Sequence, residues 1–162
     1  AFIFMGYFGI SERWFPLYFA AMVGASIGVN RLNLRLLKDY TRLQILRRGV
    51  SLQLLCSISF AVVCFLNLAS IWVVMPLMII IVGCIGLIFS NNMSMYLDHH
   101  SDSTGSANAL FGCSTFTAGA ILGSITAYFY DGSLFPIALT VCISNLIGWL
   151  LVKGVHELKH EP

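Results

Sequence analysis

Histidine and carboxylate side chains gather in one short segment, which makes them the first candidates for chemistry. The segment contains two aspartates and two histidines, Asp98, His99, His100 and Asp102. Such side chains in close sequence are typical of metal sites and of phosphoester hydrolysis. Both chemistries need further ligands or acids from elsewhere in the chain, and the only other histidines are His156 and His160. We therefore interpret residues 98–105 as a solvated link between helices, and we expect no metal site, no cofactor and no enzyme activity.

The cysteines are a second possible source of chemistry. All five lie inside apolar runs, without the CxxC spacing of a metal or redox site: Cys56, Cys64, Cys84, Cys113 and Cys142. Their odd number also argues against a disulfide framework. We predict small buried thiols that behave as hydrophobic side chains.

A loosely selective binding site would use adaptable side chains within apolar runs. The candidates for lining a substrate cavity are Tyr18, Met22, Asn91, Ser114 and Thr117. Tyr18 and Met22 lie one helical turn apart, and packing in the core or against lipid is the alternative for each candidate. For Asn91 and its neighbours Asn92 and Ser94, hydrogen bonding across helices and a position facing a watery cavity remain equally open.

The elements that would position these side chains follow from composition. Of 162 residues, 58% are hydrophobic and only 10% are charged, and the mean hydropathy is +0.85. Residues 49–97 contain no Asp, Glu, Lys or Arg, a run long enough to cross a bilayer core of about 30 Å twice. We predict an all-α, polytopic membrane protein in contact with membrane lipids. Its basic residues lack interleaved aromatic side chains, so we expect no nucleic-acid partner.

The apolar runs predict about five full membrane-spanning helices after a partial first one at residues 1–10. That first run has about half the length of a span, which suggests that the chain is a fragment of something longer. The full spans are predicted at residues 14–30, 50–66, 71–97, 106–130 and 134–152. We interpret residues 31–48 as a basic helical connection lying on the membrane surface, and 153–162 as a polar tail.

Lys and Arg are distributed unequally between the two sides of these spans. One side carries Arg31, Arg35, Lys38, Arg42, Arg47, Arg48, Lys153 and Lys159. The other side has only Arg13, so the positive-inside rule predicts a cytoplasmic C-terminus in a bacterial inner membrane. On that side, Asp98 could pair with a basic residue of 31–48 as a gate contact. The candidates for a cytoplasmic gate are Arg31, Arg35, Asp39, Arg42 and Asp98.

Glycines form two patterns within the spans. Gly105, Gly112 and Gly119 recur every seven residues, with Gly123 one turn beyond, and Gly24 and Gly28 form a similar pair earlier. Small residues let membrane helices approach closely, so we predict a packing seam, which is either static or a surface that slides during transport. Gly24 and Gly28 lie on the middle helix of the first three predicted helices, and Gly119 and Gly123 lie on the middle helix of the last three. This arrangement suggests an inverted three-plus-three repeat.

One long segment carries a family resemblance. Residues 90–124, SNNMSMYLDHHSDSTGSANALFGCSTFTAGAILGS, resemble the tenth and eleventh helices of bicyclomycin-resistance-type (Bcr/CflA) multidrug efflux transporters of the major facilitator superfamily. The matching positions are Asn91, Leu97, Asp98, Gly105, Ser106, Ala107, Gly112, Phe116, Gly119 and Gly123. Residues 30–49 are similar to that family's basic loop between helices eight and nine. The resemblance covers nearly the whole chain, from the end of helix seven through helix twelve.

The resemblance implies the C-terminal half of a proton-coupled multidrug exporter that works by alternating access. Its expected partners are the missing N-terminal half, a small amphipathic drug-like substrate and protons. The superfamily's strict acidic and basic gate motif is not reproduced around residues 28–48. No ionisable residue lies well inside a span, so the proton-titrating acids are expected in the other half.

Two other classes of function are compatible with the sequence. A non-transporting membrane subunit or assembly factor would use the same glycines to bind a partner's helices. A membrane enzyme fits less well, because the predicted spans lack catalytic carboxylates and histidines.

Overall fold

The structure, a computed structural model, describes the backbone of residues 2–157 and the side chains of residues 3–154. An N-terminal π-helical turn, Phe2–Tyr7, comes first. The α-helices that follow are α1 (Phe15–Leu36), α2 (Arg42–Phe65), α3 (Ile71–Asp98), α4 (Thr104–Tyr128) and α5 (Phe135–Glu157). A short 3₁₀ turn, Ser101–Ser103, precedes α4. Predictions for Ala1 and for 158–162 of the tail lie outside the described residues.

The all-α, polytopic architecture is confirmed, but the number of spans is not as predicted. Four helices within residues 2–157 are long and apolar enough to cross a membrane, namely α2, α3, α4 and α5. The predicted span at 14–30 belongs to α1, which continues through Arg31 and Arg35 and is not one of the four. The predicted partial helix at 1–10 is observed as the π-helical turn.

The basic segment 31–48 is not one separate helix, as was predicted, because its helical residues belong to α1 and α2; its position on the membrane surface stays a prediction. α1 extends through Leu36, and α2 already begins at Arg42. Thr41 fixes this start with a capping box: its hydroxyl accepts from the Gln44 backbone N–H at 3.3 Å, and its own N–H donates to Gln44 Oε1 at 3.1 Å. Five of the six basic residues of this segment therefore lie in the last turns of α1 or the first turns of α2, and Lys38 lies in the joint 37–41.

Helix α3 lies between α1 and α2, and α2 also packs against α5. α1 and α3 run in the same direction and approach closely at Gly86. A Cβ atom added to Gly86 would lie 2.6 Å from Ser26 Oγ and 2.9 Å from the Ser26 carbonyl oxygen. A side chain there would collide with the backbone of α1, so glycine permits this contact.

The end of the bundle opposite residues 37–41 contains the main apolar core. Phe4 from the N-terminal turn, Phe60 from α2 and Val74 from α3 meet there, with 3%, 0% and 0% of their surfaces exposed. Leu134 and Ala138 add the first turns of α5 to the same cluster. The N-terminal turn is therefore held against the bundle by side-chain packing, because it is not continuous with α1. We call the other end, where α1 and α3 end and α2 and α4 begin, the basic end.

Candidate functional site

An ion pair joins two helices at the basic end. Arg42, the first residue of α2, donates from Nη1 to Oδ2 of Asp98, the last residue of α3. The predicted pairing of Asp98 with a basic residue of 31–48 is therefore confirmed. A cation at a helix N-terminus and an anion at a C-terminus both oppose their own helix dipoles. The pair is therefore not explained by the stability of either helix alone, and it connects the start of α2 to the end of α3.

The other gate candidates do not join this pair. Arg31, Arg35 and Asp39 are exposed, and none forms an ion pair within the part of the chain that the structure describes. A gating function for any of these residues stays a prediction.

A chain of polar side chains connects α1 to α3 near the basic end. Asn91 donates from Nδ2 to Asn33 Oδ1 at 2.8 Å and to the Leu87 carbonyl oxygen at 2.8 Å. Asn33 in turn donates to Ser90 Oγ at 3.2 Å. Asn33 and Asn91 are only 3% and 2% exposed. Of the two interpretations of Asn91, hydrogen bonding across helices is the one observed, and its place in a substrate cavity stays a prediction.

The neighbouring residue, Asn92, is exposed to a cavity instead. It lines a cavity of about 390 Å³ between α2, α3 and α5, together with Gln53, Ser144 and Asn145. Gln53 donates to the Ile81 carbonyl oxygen at 3.1 Å, whereas Asn145 Nδ2 is buried and has no hydrogen-bond partner among the described side chains, residues 3–154. We call this the amide cavity. Sequence reasoning missed three of its four polar residues, although uncharged polar residues within apolar spans are a signal that could have indicated them.

The remaining cavity candidates do not converge on one site. Met22 is buried in the core and also lines an apolar cavity of about 300 Å³. Tyr18 stacks on Phe4 with ring centroids 5.6 Å apart. Ser114 donates to the Phe111 carbonyl oxygen at 3.0 Å on the exposed surface of α4, and Thr117 is exposed as well.

Helix α4 is the least packed helix of the bundle. Ala107 is its only buried residue, and none of its most apolar stretch is buried. Its main attachment is aromatic: the Phe111 ring lies 5.5 Å from the rings of Phe89 and Tyr96 of α3. Most of the remaining surface of α4 is exposed.

The predicted glycine seams have no packing partner in the described part of the chain. No atom lies within 4 Å of a Cβ added at Gly24, Gly28, Gly105, Gly112, Gly119 or Gly123. Their function in helix packing therefore stays a prediction, as does the inverted repeat. The glycines where an added Cβ would meet a close neighbour are Gly6, Gly49, Gly83 and Gly86. The short spacing of Gly83 and Gly86 was the available signal for these two.

The histidines of residues 98–105 have local partners. His99 Nδ1 lies 2.9 Å from the Met95 carbonyl oxygen, and the His100 ring lies 4.8 Å from that of Tyr96. Within residues 2–157, no group of three His, Cys, Asp or Glu side chains could hold a metal ion. The side chains of His156 and His160 lie outside the described residues.

The helices and their contacts define an all-α, multi-pass membrane protein. No protein-family model, curated protein or solved structure matches this chain. Its function has to be inferred from its own residues.

Proposed function

We propose that this chain is the C-terminal half of a proton-coupled exporter of small amphipathic compounds, working by alternating access across the bacterial inner membrane. The observation that carries the proposal is the exposure of α4. This helix is long enough to cross a membrane, yet almost none of it packs within the described chain. A second set of helices packed against α4 would provide its missing contacts.

The composition of α4 supports a protein partner rather than lipid as its neighbour. It has the lowest mean hydropathy of the four candidate spans. Its exposed surface carries small and hydroxyl side chains, among them Gly119, Ser114 and Thr117. Such residues are enriched where membrane helices contact each other, because apolar side chains suffice against lipid. A substrate path between α4 and a second half would therefore be lined by small, hydroxyl and apolar side chains without charge, as suits amphipathic compounds.

The Arg42–Asp98 ion pair supplies a second element of the proposal. It joins the ends of α2 and α3 on the side that the distribution of Lys and Arg assigns to the cytoplasm. An exposed ion pair has a strength of about 0–1 kcal/mol, so it can break and re-form during a transport cycle. In the proposed mechanism, this contact is made in one state and lost in the other.

Efflux measurements with a matched pair of α4 variants test the proposal. We would express the intact gene in a drug-sensitive bacterium and follow accumulation of a fluorescent cationic dye, with and without an uncoupler. Gly119→Leu should raise dye accumulation to the level of cells without the protein. Ala118→Leu places the same side chain on a different face of α4 and should leave efflux unchanged.

Membrane fractionation must show equal amounts of both variants for the comparison to count. Equal efflux by the two variants would refute a packed glycine seam. Dye accumulation that never depends on the protein would refute export altogether.

The exposed α4 also favours a second candidate, a non-transporting membrane subunit that binds another protein through this helix. A cysteine at position 118 or 119 and a membrane-permeable crosslinker would trap the neighbour of α4. Crosslinking to a separate polypeptide, in cells whose dye accumulation does not depend on the protein, would favour the subunit over the exporter.

A further inference from the structure

A groove between α1, α2 and α3 differs from every other cavity described above. Its volume is about 390 Å³, and its walls are almost entirely apolar. Its floor consists of three buried side chains, Ile45, Cys84 and Leu87. Its rim consists of Leu32, Leu52 and Ile80, which are 49%, 48% and 39% exposed. The groove therefore opens sideways, onto a surface that meets lipid in a membrane-spanning chain.

The groove runs toward the basic end of the bundle. Along α1 it extends from Ala25 to Leu36, which is about 16 Å at the rise of an α-helix. Arg31 and Arg35 are exposed on the same stretch of α1, so this part of the helix lies at the level of the headgroups rather than in the hydrocarbon core. The groove therefore leads from the apolar middle of the bundle to a basic end where an anionic headgroup would lie.

A cationic side chain lies at one end of this apolar groove. Among the described residues that line it, Arg48 is the only charged one. Its guanidinium carbon lies 4.1 Å from the centre of the Tyr40 ring, which also lines the groove and holds the cation in place. Arg48 is exposed, and its N–H groups have no acceptor among residues 3–154. A planar guanidinium with free donors is suited to bidentate binding of phosphate.

The surrounding charges favour an anionic occupant. Residues 31–48 contain six basic side chains, Arg31, Arg35, Lys38, Arg42, Arg47 and Arg48, against the single acid Asp39. Basic groups at the end of membrane helices attract anionic lipid headgroups. A free phosphate ion would satisfy Arg48 and leave the groove empty, whereas a neutral lipid would fill the groove and leave Arg48 without its anion.

We propose that this groove binds one anionic phospholipid, with its phosphate on Arg48 and one acyl chain between α1, α2 and α3. The proposal requires only that the chain spans a membrane, and it does not depend on transport. Lipid bound there would bridge the three helices that surround it and stabilise their packing at the basic end.

Native mass spectrometry of the purified chain in detergent tests the proposal. The probes are dioleoyl phosphatidylglycerol and dioleoyl phosphatidylcholine, which share acyl chains and differ in charge. The wild-type chain should bind one phosphatidylglycerol more tightly than phosphatidylcholine. Arg48→Gln should weaken phosphatidylglycerol binding about tenfold, the effect of losing one charge-assisted contact. Lys38→Gln removes a charge from the same segment but outside the groove, and should change the affinity little.

Two further measurements separate the contribution of the headgroup to binding from that of the acyl chain. Leu52→Trp fills the groove from its rim and should weaken binding of both lipids, whereas Leu55→Trp, on the same helix but outside the groove, should not. Glycerol phosphate, which has the anion without the chain, should not displace the lipid at equal concentration.

Equal binding of the two lipids would overturn the proposal, as would equal effects of Arg48→Gln and Lys38→Gln. Displacement by glycerol phosphate would show a site for the anion alone and would also overturn it. Helical circular dichroism of each variant must match that of the wild-type chain. Arg48→Lys, which keeps the charge, should recover part of the affinity even if Arg48→Gln is poorly folded.

Discussion

The buried amide pair Asn33–Asn91 should contribute measurably to the stability of the α1–α3 contact. Asn91 Nδ2 donates to Asn33 at 2.8 Å, and the two residues are 3% and 2% exposed. Removing one partner of a buried hydrogen bond costs about 1–3 kcal/mol in soluble proteins. Hydrogen bonds between membrane helices average about 0.6 kcal/mol and reach about 1.7 kcal/mol.

The upper part of this range of hydrogen-bond energies for membrane helices applies to the Asn33–Asn91 pair. Neither water nor a headgroup can replace a partner at such low exposure, although Asn91 retains its bond to the Leu87 carbonyl oxygen at 2.8 Å. We expect Asn33→Ala and Asn91→Ala each to lower the free energy of unfolding by about 1–2 kcal/mol. We expect the double variant to lose about 1 kcal/mol less than the sum of the two.

Reversible unfolding in mixed micelles, followed by circular dichroism as sodium dodecyl sulfate is added, provides the four stabilities of the double-mutant cycle. Asn92→Ala is the matched control, because it removes the same amide from the next position of α3, where the side chain is exposed. It should change the stability by less than about 0.5 kcal/mol. Additivity of Asn33→Ala and Asn91→Ala within about 0.3–0.5 kcal/mol would refute an energetic coupling between the two amides.

Two further predictions use the same unfolding assay. Arg42→Ala and Asp98→Ala should each lower the free energy of unfolding by less than about 1 kcal/mol, because both side chains are exposed. A loss above about 2 kcal/mol would show that the ion pair stabilises the fold and is not a contact that opens easily. Gly86→Val should destabilise the chain by about 1–3 kcal/mol, because its added atoms would meet Ser26, whereas Gly112→Val has open space around it and should not. Equal effects of the two valine variants would contradict a close α1–α3 contact at Gly86.

The positions of the apolar helices could be predicted because a bilayer imposes both their length and their lack of charge. The span predicted at 71–97 is observed as Ile71–Asp98. The start of α2 was missed because Arg42, Arg47 and Arg48 were interpreted as part of a surface connection. The capping residues Thr41 and Gln44 were a local signal for that start, and they outweigh the unfavourable charge at the first helical position.

The contacts between helices were less accessible from the sequence. The residues of Asn33–Asn91 are far apart in the chain, and their meeting depends on the parallel register of α1 and α3, which no local pattern specifies. The pairing of Asp98 with a basic residue of 31–48 could be anticipated because opposite charges lay on the same predicted side. For the glycines, spacing identified small residues but not the neighbour that each would meet.

The parallel contact between α1 and α3 also restricts how the chain can move. A slide of one helical turn, about 5.4 Å, would separate Asn91 from Asn33 and break the close contact between Gly86 and Ser26. The buried amides and the contact at Gly86 therefore hold α1 and α3 in one register. The contact between α3 and α4 is looser, because the Phe111 ring rests against Phe89 and Tyr96 while almost all of α4 is exposed. Rotation of α4 about that ring would change the bundle's outline while the buried amides stay paired.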